Sequence, residues 1–397
     1  MTSEKSFRTP ESFIGAISGT SMDALDVALV TISGVPDFPL IHFGAFRCYP
    51  FPEFLSQQCR ELSRKLHRGE ILPSADEISV LDKELGEWMG SCIADFFKEE
   101  RLIPDALKAI GSHGQTVMHK PPFFTLQLGD AGVIAEKTGI PVVSHFREAD
   151  IREGGEGAPL VPLLDYYCFT HPTLSRALIN IGGIANITFL PPAGRKNEVL
   201  GFDCGPGNCL LDYYFYIHPV PNFPEIYHSF PLHSNMYAEA VALVSQCSFF
   251  TEPYPKSADV SQFFPLFVQA KKQVREVDYL LSLLAFITAL GIFSGLSLLP
   301  YPPDEIWLTG GGAKNPLIRK ALEFLLPFPF SAPDSLICAR PEGAIIPQKA
   351  KEAVLFALLA HHFLYEIPGN LPHVTGARQS SVLGKIFYPS SRFRTSP

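Results

Sequence analysis

The sequence predicts an α/β protein made of two similar domains with a central cleft. Three observations carry this. The chain has 397 residues, a length that suggests two domains and substantial buried cores. Hydrophobic residues make up 46% and charged residues 18%, the balance of a folded soluble protein rather than a disordered one. Each half also opens on the same layout: an apolar strand, a glycine turn and a second strand, then mixed helices and strands.

In the first half, Phe13 to Ser18 is apolar and extended, Gly19-Thr20-Ser21 turns, and Leu25 to Ile32 is strand-like again. Residues 51 to 103 interleave charged residues with Leu, Ile and Phe and read as helical. Ala109-Ile110 then leads into Gly111-Ser112-His113-Gly114-Gln115-Thr116, read as a small-residue loop. The second opening begins near Arg176: Ala177 to Ile181, a turn at Gly182-Gly183, and Ile187 to Leu190. Asp203 to Asn208 forms a Gly/Pro turn before a helix. Helical patterns cover residues 234 to 247 and 275 to 298, Ile306 to Thr309 is a strand before Gly310-Gly311-Gly312, and Lys351 to Leu364 is the last long helix. The layout predicts domains at residues 1–175, completed by the segment near 365–397, and at 176–364. Pro219 to Pro224 and Pro327 to Pro333 read as rigid surface loops.

The formal charge of −8 argues against a broad nucleic-acid-binding face. The eight cysteines are scattered with no C-x-x-C pair, which disfavours a disulfide framework or a zinc site and suits a reducing cytoplasm. Met1 to Pro10 is polar and lacks the apolar core of a signal peptide. Tyr279 to Pro300 is uncharged, long enough to cross a bilayer, and carries Gly291 and Gly295 at G-x-x-x-G spacing. A buried helix is the preferred reading, because motif-bearing polar stretches flank it on both sides.

The common nucleotide motifs fail. There is no G-x-x-x-x-G-K-[ST], no complete G-x-G-x-x-G and no protein-kinase catalytic loop. What remains is a tight glycine turn between strands, which can aim backbone N–H groups at a phosphate. Gly19-Thr20-Ser21 supplies such a turn with two hydroxyls, and Asp23 and Asp26 follow it, placed to hold Mg²⁺ near bound phosphates. Alone, this turn, Gly182-Gly183 and Gly310-Gly311-Gly312 would each read as an ordinary loop. Their recurrence after apolar strands gives them weight together.

Four further stretches are candidate sites. His113, Gln115 and Thr116 cluster between glycines, where His113 reads equally as a hydrogen-bonded structural residue. Arg147, Asp150 and Arg152 precede Gly154-Gly155-Glu156-Gly157-Ala158-Pro159, a stretch suited to an anionic substrate or to ion pairs on a solvated loop. Asp203, at a strand end before a turn, is placed as a general base, with helix capping as its alternative. Glu352 opens the last helix, where a carboxylate also complements the helix dipole.

Taken together, these stretches resemble the anhydro-N-acetylmuramic acid kinases of the actin/hexokinase/Hsp70-like ATPase superfamily. The resemblance runs through Gly15 to Asp23, Gly111 to Thr116, Gly154 to Pro162, Asn180 to Asn186, Gly201 to Asn208, Gly310 to Pro316 and Val374 to Ala377, nearly the whole chain. It implies an actin/hexokinase-like, ribonuclease H-like fold. It also implies a reaction in which 1,6-anhydro-N-acetylmuramic acid, ATP and water become N-acetylmuramic acid 6-phosphate and ADP, in peptidoglycan recycling.

By the same resemblance, Asp203 is the base that activates water, and Glu352 is a second carboxylate that assists. ATP would meet Gly19, Thr20, Ser21, Met22, Asp23, Ala24, Leu25 and Asp26, with Gly182, Gly183, Gly310, Gly311 and Gly312 nearby and Mg²⁺ at Asp23. The sugar would meet His113, Gln115, Thr116, Arg147, Gly157 and Pro159. The expected partners are the small sugar and ATP, without nucleic acid or membrane, in the cytoplasm, with a homodimer allowed. Ala24, His145, Glu148-Ala149 and Ala258-Asp259-Val260-Ser261 depart from the family pattern and bear on substrate specificity. Two other readings stay open: a hydrolase that opens the anhydro sugar without ATP through Asp203 and Glu352, and a nucleotide-binding scaffold without catalysis.

Overall fold

The computed structural model describes residues 8–19, 22–35, 38–68, 74–121, 123–192, 195–218, 235–254, 256–327, 329–339 and 342–390. The chain divides into two compact units, Met1–Cys168 with Ser335–Pro397, and Phe169–Asp334.

The first unit opens on an antiparallel meander, β1 (Arg8–Ser18), β2 (Ala24–Val35) and β3 (Phe38–Pro50). Helices α1 (Glu53–Arg68) and α2 (Ala75–Glu99) follow, α2 starting on a Ser74–Glu77 capping box. Then come β4 (Leu107–Lys120), β5 (Phe124–Leu128), α3 (Ala131–Thr138), β6 (Val142–Ser144), α4 (Phe146–Arg152) and α5 (Val161–Phe169). Strand β4 runs parallel to β1, and β6 parallel to β4.

The second unit repeats the opening. Strands β7 (Arg176–Ile181), β8 (Ile184–Leu190) and β9 (Leu200–Pro206) form a meander. Helices α6 (Cys209–Ile217), α7 (Met236–Val244), α8 (Phe264–Gln273) and α9 (Val277–Ser297) precede β10 (Glu305–Thr309), which runs parallel to β7, and α10 (Pro316–Leu325) closes the unit. The chain then returns to the first unit with β11 (Ser335–Ile337), β12 (Ile345–Pro347), α11 (Lys351–Leu364), α12 (Pro372–Thr375) and β13 (Lys385–Phe387).

The sheet orders are β13-β6-β4-β1-β2-β3 and β10-β7-β8-β9. In both, the first strand lies between its hairpin partner and a later parallel strand. This shared, ribonuclease H-like order is the duplication inferred from layout. It places the turns after β1, β7 and β10, and the end of β9, at strand C-termini, where α/β proteins bind ligands.

The expected boundary at residue 364 moves. Helix α11 packs on β1, β2 and β4, so the first unit resumes at Ser335 rather than near 365. The reason is visible in two glycines. A Cβ on Gly15 would sit 1.7 Å from the Ala353 carbonyl oxygen, and one on Gly111 would sit 1.9 Å from that of Phe356. The same fact corrects Gly111 to Thr116, which is strand within β4, not loop. Strand β3 also escaped the sequence reading.

Helix α9 carries the membrane-length apolar stretch, and most of it is buried inside the structure. Its G-x-x-x-G pair faces β9: a Cβ on Gly291 would lie 2.9 Å from the Cys204 carbonyl oxygen, and one on Gly295 would lie 2.7 Å from the Cys204 Cβ. The spacing therefore seats a strand. The segment Pro219 to Pro224 lies outside the described residues.

Candidate active site

In the first unit, the turn after β1 is closed by the Met22 N–H donating to the Gly19 carbonyl at 3.1 Å, with Met22 at φ 54°. Thr20 and Ser21 lie outside the described residues. Ala24, Leu25 and Asp26 already belong to β2, paired with Pro50, Ser18 and Ile17. The second half of the predicted stretch is therefore strand within the sheet. Asp23 is exposed, and its carbonyl accepts from the Phe51 N–H at 2.9 Å. Burial pushes the Asp26 carboxyl above its usual range, against a hydrogen bond from the Cys48 thiol, and the nearby Asp23 charge adds to the rise. Among the described residues, no group of three or more His, Cys, Asp or Glu could hold a metal ion by itself. One or two carboxylates fit only a Mg²⁺ that phosphates also hold.

A second cluster centres on Arg147 in α4. Its Nε donates to His113 Nε2 at 3.0 Å and its Nη1 to the Gly157 carbonyl at 2.8 Å. The Gly157 N–H donates to Asp150 Oδ2 at 2.7 Å. Asp150 is fully buried, and its Oδ1 accepts from Asn370 Nδ2 and Thr375 Oγ1, both at 2.6 Å. Asp150 is therefore the hub that folds the glycine loop, a role local sequence left unassigned. Burial lowers Arg147 to about 10, opposed by the fields of Glu352 and Asp150, so it stays charged at neutral pH.

Glu352 opens α11 and keeps an exposed surface while protein atoms crowd around it. That crowding raises its pKa, and Arg147 and Lys351 pull it back. Lys351, its chain neighbour, makes a buried ion pair of 2.7 Å with Asp165.

Gln115 is corrected. It is completely buried, its Oε1 accepts from the Ser18 hydroxyl at 2.7 Å, and its Nε2 donates to the Thr116 carbonyl at 3.0 Å. It ties β1 to β4, and its complete burial leaves no surface for a sugar. His113 is also buried, with both ring nitrogens engaged. Thr116 is half-buried and accepts from Gln127 Nε2 at 3.3 Å, and Pro159 is half-buried after a cis Ala158–Pro159 bond. The departures at His145 and Glu148 lie toward β13: the His145 ring stacks on Phe387, and Glu148 pairs with Lys385 at 2.6 Å.

In the second unit, Asp203 lies in β9, half-buried. Its Oδ2 accepts the Ala258 N–H at 2.8 Å, and its own N–H donates to the Lys256 carbonyl at 3.0 Å. Burial pushes its carboxyl up to about 7, moderated by the Ala258 hydrogen bond and the Lys256 charge. Lys256 itself donates to the Phe249 carbonyl at 3.1 Å and lies over the Phe249 ring. The divergent segment after Pro255 thus holds Asp203 by backbone groups, which no side-chain motif could announce.

The glycine turns divide. The Gly182 N–H is used by the Ile184 carbonyl, and the carbonyls of Gly182 and Gly183 accept from Asn208, Gly207 and Cys209. The carbonyls of that turn thus hold the start of the segment after β9. Gly310, at φ 82°, and Gly312 are required by close approach to Ile181, whereas a Cβ on Gly311 would make ordinary contact with Asn208 Nδ2 at 3.8 Å. Asn208 Oδ1 is within 3.4 Å of Asn315 Nδ2, so an amide cluster flanks Gly311.

The family description "Anhydro-N-acetylmuramic acid kinase" matches residues 11–389. The chain is 38% identical over 397 residues to an anhydro-N-acetylmuramic acid kinase of Picosynechococcus sp., covering 95% of this chain and 99% of that one. It is 36% identical over 392 residues to the kinase of that name from Microcystis aeruginosa, covering 94% and 99%. Among solved structures it is similar to the activator of the 2-hydroxyisocaproyl-CoA dehydratase from Clostridium difficile, at TM-score 0.40 and 12% identity over 89% of this chain and 96% of that one. With the duplicated sheet order and a match across nearly its full length, this chain belongs to the anhydro-N-acetylmuramic acid kinase family.

Proposed function

We propose that this chain converts 1,6-anhydro-N-acetylmuramic acid, ATP and water into N-acetylmuramic acid 6-phosphate and ADP. The observation that carries the reading is Asp203: a carboxylate fixed by a backbone N–H, with burial pushing its pKa up to about 7, the range a general base needs at neutral pH.

Asp203 takes a proton from water as the water oxygen bonds to the anomeric carbon. The bond from that carbon to O6 breaks, and O6 bonds to the γ-phosphorus as the bond to the ADP oxygen breaks. Arg147, charged and anchored by neutral acceptors, suits the lactyl carboxylate of the sugar. Glu352 supplies the second carboxylate. We assign nucleotide phosphates to the glycine turn at Gly19 to Asp23, and Gly311 tolerates a close approach that a larger residue would hinder. Asp23, with Asp26 behind it, would hold a phosphate-bound Mg²⁺, whose charge stabilises the transferring phosphoryl group. We place the reaction in the cytoplasm, without nucleic acid or membrane, and allow a homodimer.

The test is to incubate the protein with ATP, Mg²⁺ and the anhydro sugar and weigh the product. A 6-phosphorylated, ring-opened sugar is expected. An opened but unphosphorylated sugar would establish the ATP-free hydrolase instead. No sugar product together with ATP binding would establish the non-catalytic scaffold.

A further inference from the structure

Arg147 has two anchors, and neither is charged. Arginine can only donate, so its Nε at 3.0 Å from His113 Nε2 requires a lone pair on that nitrogen. The ring proton must then sit on Nδ1, which donates to the Gly114 carbonyl at 3.1 Å. His113 is held neutral by these two contacts, 4% exposed, with its ring packed against Phe356 of α11. Burial and the adjacent guanidinium hold its pKa well below the usual histidine range, in keeping with that tautomer.

The second anchor is equally fixed. The Gly157 carbonyl takes one Nη1 hydrogen, and Gly157 is tied to the buried Asp150. Glu352 and Asp150 act on the guanidinium through their fields rather than by direct ion pairs. With Nε on His113 and Nη1 on Gly157, Nη2 is the guanidinium nitrogen with no hydrogen bond among the described residues, and it remains for an anion.

We infer that His113 is a positioning residue that fixes Arg147 as a carboxylate receptor, and that it does not touch the sugar itself. The inference rests on the reading that Arg147 meets the substrate carboxylate. It makes His113 a determinant of selectivity for sugars that carry an acid group.

The test measures kcat and KM for the anhydro sugar, ATP affinity, and melting temperature, in H113L, H113Q, H113N and R147M. Gln retains an acceptor near the Nε2 position, Asn is too short to reach, and Leu has none. H113L is expected to raise KM about 10- to 100-fold, the worth of a hydrogen bond to a charged group, with kcat within about threefold. H113Q should recover most of that loss and H113N should not. Calorimetric affinity for 1,6-anhydro-N-acetylglucosamine, which lacks the lactyl carboxylate, should be equal in H113Q and H113N. A fall in kcat without a rise in KM, or equal KM values for H113Q and H113N, would overturn the positioning role. If H113L does not fold, the Gln–Asn comparison decides alone. An unchanged KM in R147M would instead sink the carboxylate reading of Arg147, a separate failure.

Discussion

The two units seat a helix against a sheet in opposite ways. In the first, the glycines lie in the strands: Gly15 and Gly111 admit the backbone of α11. In the second they lie on the helix: Gly291 and Gly295 of α9 admit β9. In each unit, the candidate carboxylate is the chain neighbour of a residue at the tight contact. Glu352 precedes Ala353 on the helix side, and Asp203 precedes Cys204 on the strand side. Close packing therefore fixes how far each carboxylate projects. The surroundings differ: Glu352 feels the cations Arg147 and Lys351 and the Asp26 charge, whereas Asp203 has the Ala258 hydrogen bond and Lys256, whose ammonium is engaged by Phe249. At Asp203 burial outweighs both and leaves the carboxyl at about 7, the range of a base.

The largest way to test this contrast is D203N against E352Q. We expect D203N to lose about 10²- to 10⁴-fold in kcat, the usual contribution of a general base, while ATP affinity stays within a factor of two or so. E352Q should lose less. In the unmodified enzyme, kcat/KM should rise as pH increases through about 7, because the base must be ionised. A flat profile from pH 5 to 9 together with an active D203N would remove Asp203 from the chemistry.

Next is the seat of α11. G15A places a Cβ against a backbone carbonyl that cannot rotate away, and we expect a loss of at least about 3 kcal/mol. Denaturant unfolding would read it, and a wild-type midpoint would refute the seat.

These contrasts also mark what sequence could convey. Both hairpins were legible because apolar strands broken by glycine follow directly from backbone chemistry. The helix at Lys351 to Leu364 was legible too, but its unit was not, because only packing reveals that Gly15 and Gly111 receive it. The glycines of Gly111 to Thr116 suggested a loop because glycine favours turns in isolation. Arg147 and Asp203 stood out by type and position. The role of His113 depends on which nitrogen faces which partner, and the hold on Asp203 comes from the main chain of Ala258. Neither leaves a side-chain signature.

A smaller effect links Asp203 to stability. Its carboxyl is raised in the folded state from 3.8 to about 7, so the fold disfavours ionisation. Below pH 3.8 the group is protonated in both states and costs nothing. Between there and about 7 the unfolded chain releases its proton first, so this group's contribution to stability falls with rising pH, then levels off. D203N should therefore melt higher than the parent at pH 8 and equally at pH 3.5 to 4, with a gain on the order of 1–3 kcal/mol. An Asn oxygen still accepts from Ala258, which keeps the comparison about charge. An equal gain at both pH values would point to packing instead.

The smallest prediction joins the seat in the second unit to the chemistry. In G291A the new Cβ would lie 2.9 Å from the Cys204 carbonyl oxygen and 3.1 Å from Phe250 Cε1. Phe250 is half-buried and can shift, but the Cys204 carbonyl belongs to β9 and moves only with the strand. Alanine contributes about 1 kcal/mol of helix propensity over glycine, against about 1–3 kcal/mol for overpacking. The net loss should be about 1 kcal/mol, far below that of G15A. Because Asp203 is the residue before Cys204, displacing the strand by a few tenths of an ångström also moves the proposed base, and we expect kcat to fall about 3- to 10-fold with ATP affinity kept. If G291A loses stability but keeps full kcat, the α9 seat supports the fold without setting the base. If it loses kcat while its stability holds, the strand's position, rather than its packing energy, is what the glycine protects.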